Sequence, residues 1–148
     1  MPHHVHDTLT AFGYPHSLVV DLDRWVVLLR PRQPTLGSLV LVAADPAMSV
    51  ADLEHETQRD LGAAMEKVDR VLRAAMACDK VNYLMLMMVD PHVHFHVIPR
   101  YATPAAFDGG HYPDTAWPQP PALSAALDLP GPTVDRLRER LKAAFLAN

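Results

Sequence analysis

The chain has 148 residues, of which 49% are apolar and 20% are charged. This balance is typical of one soluble globular domain and excludes a disordered chain. The formal net charge is -4 with histidines counted as neutral, which argues against a protein that binds nucleic acid through its phosphate backbone. No apolar run reaches the ~18 residues of a membrane span, and the N-terminus lacks the apolar segment of a secretory signal. We therefore expect a cytoplasmic protein.

The N-terminal third of the chain predicts an antiparallel β unit. It begins with His3, His4 and His6, which resemble the start of a metal-binding tract, although a mobile polar terminus is the preferred interpretation. Two apolar runs in residues 17–30 are separated by a charged tetrapeptide, and this pattern predicts a hairpin. Residues 39–43 (LVLVA) predict a further strand.

Two amphipathic helices are predicted from apolar residues that recur at spacings of three and four. In residues 57–78 this stripe comprises Leu61, Met65, Val68, Leu72 and Met76. Ser49, with Asp52 three residues later, resembles the N-terminal cap of this long helix. A final helix is predicted to begin at Thr133 as its N-cap. Its stripe comprises Val134, Leu137, Leu141 and Phe145.

Two more strands are predicted in the second half of the chain. Residues 82–89 are apolar at both parities, as in a strand that is covered on both faces. Asp90-Pro91 predicts a tight turn, so this strand should form a hairpin with residues 92–98, which alternate in polarity. Residues 101–132 hold seven of the fourteen prolines and predict an irregular surface segment. Together these elements predict an α+β fold with an antiparallel sheet of about five strands.

Three histidines share one face of the last predicted strand. Side chains two residues apart on a strand lie about 6.6–6.8 Å apart on one face, so His92, His94 and His96 form a row. A purely structural row is disfavoured because each core histidine would need a buried hydrogen-bond partner.

A metal site is a second interpretation of the row. Two alternating histidines can reach one zinc ion, but the third lies about 13 Å from the first along the strand. No Asp, Glu or Cys at ligand spacing completes a tetrahedral set. Only folding could bring in Asp90 and His111 as further ligands.

Nucleophilic attack on phosphorus is the third interpretation. A neutral imidazole can form a phosphoramidate that water or another acceptor then opens. Neighbouring histidines lower one another's affinity for protons, and a hydrogen bond from the second ring nitrogen to a carbonyl would fix the tautomer. Flanking imidazoles can donate to phosphoryl oxygens as charge develops. If the alternation continues past Pro99, Arg100 lies on the same face and adds positive charge.

The stretch His92-Val93-His94-Phe95-His96-Val97-Ile98 resembles the His-φ-His-φ-His-φ-φ motif of the histidine-triad (HIT) family, and Ile98-Pro99-Arg100 resembles the ending common in that family. The likeness extends over residues 17–102. It implies a single HIT-like α+β domain over residues 1–148, with a core at about 17–102 and the irregular segment and C-terminal helix in 103–148. It further implies a homodimer that binds a nucleotide or a nucleotide conjugate.

The resemblance also implies nucleotidyl transfer or hydrolysis at an α-phosphate, as in a nucleotide phosphoramidase or a dinucleoside polyphosphate hydrolase. By motif position His94 would be the nucleophile, with His92 and His96 as supporting members. Asn82 lies near a position where the family often has an Asn or Gln that contacts ligand. The triad would hold no cofactor, and a divalent cation could accompany the substrate.

Three departures from the family pattern concern the ligand. Apolar residues 85–89 replace the polar loop that many members carry before the triad. Ser38 stands where many members have a histidine, and Arg30 lies near a position that often contacts ribose. With Arg100, these two residues are further candidates for ligand binding. The alternatives to an enzyme are a nucleotide-binding module of the same fold with little or no turnover, and a metal-binding histidine site.

Overall fold

A computed structural model describes residues 4–148. The helices are α1 (Asp7–Ala11), α2 (His55–Met76) and α3 (Gly131–Ala147). The strands are β1 (Leu18–Asp21), β2 (Trp25–Leu29), β3 (Leu39–Ala43), β4 (Lys80–Leu84), β5 (His94–Arg100), β6 (Ala105–Phe107) and β7 (Gly110–Tyr112). Strands β1 to β5 form one antiparallel sheet in the order β1-β2-β3-β5-β4, and β6 pairs with β7 separately. The predicted α+β class with a five-stranded antiparallel sheet is confirmed.

The sheet has two covered faces. Its larger core lies against α2 and α3, with Trp25, Leu41 and Leu72 among its buried members. A smaller cluster on the opposite face includes Leu9 of α1 together with Val40 and Val42 of β3. In the β3–β5 register, Val40 is paired with His96 and Val42 with His94. Because paired residues point to the same face, the histidines of β5 lie on the face that α1 covers.

The early hairpin and strand β3 agree with the sequence patterns, whereas the helix starts differ. Ser49 begins a short 3-10 helix (Val50–Asp52), and its hydroxyl donates to the Asp52 carboxylate at 2.8 Å rather than capping α2. Helix α3 begins at Gly131, two residues before the predicted N-cap. Pro132 is accommodated there because N–H groups in a first helical turn have no partner inside the helix.

The prediction of a covered strand over residues 82–89 is wrong. Strand β4 ends at Leu84, and residues 85–93 form an irregular connection instead of a two-residue turn. Within this connection Met87 adopts a φ of 50°, which is incompatible with a continued strand. Met88 and Val89 are consequently 85% and 91% exposed. The alternation also starts later than predicted, because His92 precedes β5.

The expected mobile N-terminus is also wrong for the residues that the structure describes. His6 is buried at the N-cap of α1, while His4 is exposed and His3 lies outside the described residues. Thr8 and Leu9 are buried because α1 packs against the face of the sheet that carries the smaller hydrophobic cluster. The N-terminal segment thereby becomes part of the histidine site. None of the described helices combines the length and apolar composition needed to cross a membrane.

Candidate active site

His94 has the tautomer that a nucleophile needs. Its side chain is only 2% exposed, and its Nδ1 lies 2.7 Å from the backbone oxygen of His92. A carbonyl oxygen can only accept, so Nδ1 carries the proton and a neutral His94 has its lone pair on Nε2. The irregular backbone before β5 thus supplies the carbonyl partner that the sequence led us to expect.

His96 is arranged as a hydrogen-bond donor beside it. The two ring centroids are 5.1 Å apart, and the ring planes are nearly perpendicular at 83°. Burial, followed by the effects of His94 and Arg30, lowers the pKa of His96 to about 4. The Nε of Arg30 lies 3.5 Å from the Nδ1 of His96. Because a guanidinium has only donors, Nδ1 accepts and the neutral ring carries its proton on Nε2.

His92 is held by α1. The Thr8 hydroxyl lies 2.9 Å from the Nδ1 of His92, and its oxygen accepts the backbone N–H of the same histidine at 3.2 Å. Both groups are satisfied when the hydroxyl proton points at Nδ1, which leaves the ring proton on Nε2. The first and third histidines, which flank His94 in the sequence, then both carry their ring proton on Nε2.

A fourth imidazole supports the first. The ring of His6 stacks on that of His92, with centroids 4.2 Å apart and planes at 20°. Its Nε2 donates to the Ala43 carbonyl at 2.9 Å, and its Nδ1 accepts the N–H of Leu9 at 3.4 Å. Burial lowers the pKa of His6, the Ala43 hydrogen bond opposes this change, and His92 lowers the pKa further. The neutral ring of His6 therefore has a hydrogen-bond partner at both of its nitrogens.

Phe12 covers the other end of the triad. Its ring centroid lies 5.4 Å from that of His94 and 5.8 Å from that of His96. Phe12 also lines a cavity of about 220 Å³, together with Ala11, Arg30, Pro31 and Arg32. Thr8 and Phe12 were not predicted as site residues, and His6 was interpreted as part of a mobile polar terminus, because a five-residue helix is too short to show a periodic stripe.

Arg100 and Asn82 lie together, bound to the Pro-rich segment. Arg100 is 4% exposed, shares the parity of the β5 histidines, and forms an ion pair with Asp114 at 2.6 Å. It also donates to the Asn82 side-chain oxygen at 2.8 Å and to the Gln119 carbonyl at 2.7 Å. A ligand contact of either residue stays a prediction.

Ser38 and Arg30 have different surroundings. Ser38 is fully buried, and its hydroxyl donates to the Thr35 carbonyl at 2.8 Å and accepts the Thr35 N–H at 3.3 Å. These contacts stabilise the turn before β3, and none of them reaches a triad histidine. Arg30 does reach the triad, through its contact with His96.

Residues 4–148 contain no group of three or more His, Cys, Asp and Glu side chains that could hold a metal ion. The two residues considered as recruited ligands differ in their exposure: Asp90 is half-buried in the connection before the triad, and His111 is exposed on β7. The Nδ1 atoms of the three triad histidines bind hydrogen-bond partners of the protein itself.

An antiparallel α+β fold that carries a His-x-His-x-His row beside one edge strand defines a class of protein, and sequence comparison agrees. The family model of the HIT domain matches residues 14–103, so the chain belongs to the HIT family. The matched residues begin after α1, which means that His6, Thr8 and Phe12 lie outside them. No curated protein matches the chain.

Solved structures show the same fold over almost the whole chain. A histidine triad protein from Bradyrhizobium japonicum is 24% identical, with 98% of this chain and 99% of that chain covered and a TM-score of 0.74. One from Marinobacter aquaeolei VT8 is 20% identical, with 98% and 97% covered and a TM-score of 0.75. One from Sinorhizobium meliloti 1021 is 21% identical, with 96% of each chain covered and a TM-score of 0.73. The shared fold therefore extends beyond the residues matched by the family model.

Proposed function

We propose that this HIT protein hydrolyses or transfers a nucleotidyl group by attack of His94 on an α-phosphate. The observation that carries the proposal is the 2.7 Å hydrogen bond from the Nδ1 of His94 to the His92 carbonyl, because it leaves Nε2 as the free nucleophile. The substrates proposed are a nucleotide phosphoramidate and a dinucleoside polyphosphate.

In the proposed reaction, Nε2 of His94 forms a bond to the α-phosphorus while the bond to the leaving group breaks. The leaving group departs with its electron pair and takes up a proton. His92 and His96 donate from Nε2 to the phosphoryl oxygens as negative charge develops on them. Water then attacks phosphorus and loses a proton to the solvent, while the electron pair of the N–P bond returns to Nε2 of His94. This step restores His94 and releases the nucleotide. In a transfer reaction another acceptor takes the place of water.

Turnover of adenosine 5′-phosphoramidate and diadenosine polyphosphates by the wild type and His94→Ala tests the proposal. We expect His94→Ala to lose several powers of ten in rate, and mass spectrometry of quenched wild-type reactions to show a nucleotidyl group on His94. His111→Ala, which removes an exposed imidazole on β7, is the matched control and should keep full activity. Equal turnover by His94→Ala and the wild type would exclude the nucleophile.

A nucleotide-binding module without significant turnover is the second candidate. The exposed apolar side chains of Leu86, Met88 and Val89 favour it, because they offer no polar contact to a phosphate just before the triad. Calorimetry with AMP and GMP, run beside the substrate panel, separates the two functions. Binding of either nucleotide with no turnover of any substrate would support the module and exclude the hydrolase.

The proposal includes a cytoplasmic homodimer whose triad holds no metal, with a divalent cation entering only with a polyphosphate substrate. Sedimentation should give a species of twice the 16.4 kDa chain mass, and a monomer alone would contradict the dimer. Metal analysis of untagged protein should find no zinc. Stoichiometric zinc would instead favour a metal-binding histidine site.

A further inference from the structure

Two arginines line the cavity next to Phe12, and neither has an acidic partner within residues 4–148. Arg30 is half-buried, and its terminal nitrogens donate to the backbone carbonyls of Arg32 at 2.7 Å and Leu123 at 3.2 Å. Arg32 is exposed and donates to the Ser124 carbonyl at 3.2 Å. Within residues 4–148, neither arginine forms an ion pair with an Asp or Glu side chain.

The uncompensated charges of Arg30 and Arg32 contrast with that of Arg100, the buried arginine on the histidine face of the sheet. The charge of Arg100 is balanced by the Asp114 carboxylate at 2.6 Å. Arg30 has no such balance, and burial together with the nearby Arg32 lowers the pKa of its guanidinium. Arg30 is supported only by neutral acceptors, two carbonyls and the Nδ1 of His96. Such a partly buried cation gains most from an anion that it can bind directly. The cavity that both arginines line offers the room for one.

An anion bound in this cavity would differ from the phosphate that His94 attacks in the proposed reaction. Arg30 contacts the Nδ1 of His96 at 3.5 Å. The nitrogen that faces the attacked phosphate in the proposed reaction is Nε2, which is separated from Nδ1 by one ring carbon and points in a different direction. The Phe12 ring is close to both β5 histidines and also lines the cavity. A ligand in this cavity would therefore reach the arginines with a second group.

We propose that Arg30 and Arg32 bind a second phosphate group of the substrate, separate from the one at His94. This inference rests on the proposed function, because it assigns the substrate class of the same site. Planar guanidinium groups match phosphate oxygens in paired hydrogen bonds. The second phosphate has two sources, a 2′- or 3′-phosphate on the ribose and the next phosphate of a polyphosphate chain.

Calorimetry on the full chain distinguishes these sources, with AMP, adenosine 2′,5′-bisphosphate, adenosine 3′,5′-bisphosphate and ADP as probes. We expect at least one of the last three to bind about tenfold or more tightly than AMP, the gain typical of a charge-assisted contact. Arg32→Gln and Arg30→Gln should each lose most of that gain. Arg59→Gln removes the same charge from an exposed position on α2 and should keep it. Because Arg32 is exposed, Arg32→Gln should fold and can test the subsite even if Arg30→Gln does not fold.

A gain confined to a bisphosphate assigns the subsite to a ribose phosphate, and a gain confined to ADP assigns it to the polyphosphate chain. The inference is overturned if all three bind within about threefold of AMP, or if Arg32→Gln keeps the gain. If that happens while adenosine 5′-phosphoramidate is still turned over, the proposed function survives and only the second-phosphate subsite fails. If no nucleotide binds and none is turned over, both fail.

Discussion

At the scale of single residues, the Thr8 hydroxyl decides how the first triad histidine is held. It accepts the His92 N–H and lies 2.9 Å from Nδ1, so one oxygen fixes both the backbone and the ring. Thr8→Val keeps the shape of the side chain but leaves Nδ1 without its donor, and the proton on Nε2 is then no longer specified. We expect kcat with adenosine 5′-phosphoramidate to fall up to about tenfold, the value of one neutral hydrogen bond.

Two further variants separate this positioning role from a general loss of structure. Thr8→Ser retains the hydroxyl and should recover most of the rate. Thr10→Val makes the same chemical change at an exposed position of α1 and should leave the rate unaltered. If Thr8→Val and Thr10→Val had equal rates, the hydroxyl would have no part in orienting His92.

The low pKa of His96 predicts a pH dependence of stability. Its pKa falls from 6.5 to about 4 in the folded protein. Between pH 4 and pH 6.5, this imidazole therefore binds a proton more strongly in the unfolded chain than in the folded one. The stability contributed by the neutral ring is complete above pH 6.5 and is lost as the pH falls towards 4. Urea unfolding at pH 7, 6 and 5 should show a steeper loss in the wild type than in His96→Gln. The carboxylates titrate in both chains, so identical slopes would contradict the shifted pKa.

At the scale of elements, residues 85–89 show where sequence patterns mislead. Their composition is that of a buried strand, yet the sheet pairing ends at Leu84, Met87 adopts a positive φ and Met88 is exposed. Met88→Ser should therefore change the free energy of unfolding by less than about 0.5 kcal/mol. Leu41→Ala, in the fully buried strand β3, should cost about 2–5 kcal/mol. If Met88→Ser lowered the free energy of unfolding about as much as Leu41→Ala, residues 82–89 would form the covered strand that the sequence predicts.

How far each element could be predicted depends on how local its causes are. Strand β3 and the stripe of α2 follow from patterns within five and 22 residues, and both were predictable. Helix α1 has five residues and an imidazole rather than a hydroxyl or carboxylate at its N-cap. The triad itself could be recognised as a motif from the sequence alone. The contact between Thr8 and His92 spans 84 positions, and only the folded chain brings them together.

At the scale of the whole molecule, the irregular segment after β5 is tied to the sheet by polar contacts. Tyr101 donates its hydroxyl to the Leu36 carbonyl at 2.5 Å, and the Leu127 N–H donates to the Gln33 carbonyl at 2.8 Å. Asp114, which lies between these two points in the sequence, forms the ion pair with Arg100 at the end of β5. The segment therefore closes over one end of the sheet although it contains little regular structure.

The ion pair is the contact in this set whose loss should be most costly. Both side chains are almost fully buried, at 4% and 2% exposure, so Asp114→Asn leaves the Arg100 cation without a counter-charge. Removal of one partner from a buried pair costs about 3 kcal/mol or more, and urea unfolding should show that loss. Limited proteolysis should then cut within residues 113–130, because the segment loses its central attachment to the sheet.

Asp108→Asn is the matched control in the same segment. The ion pair of Asp108 with Arg136 is largely exposed, and such pairs contribute at most about 1 kcal/mol because water screens the charges. This variant should keep the proteolysis pattern of the wild type. An equal cost for the two Asp→Asn variants would mean that the buried pair does not hold the segment. In that case the two backbone-directed contacts, from Tyr101 and to Gln33, would have to account for its position.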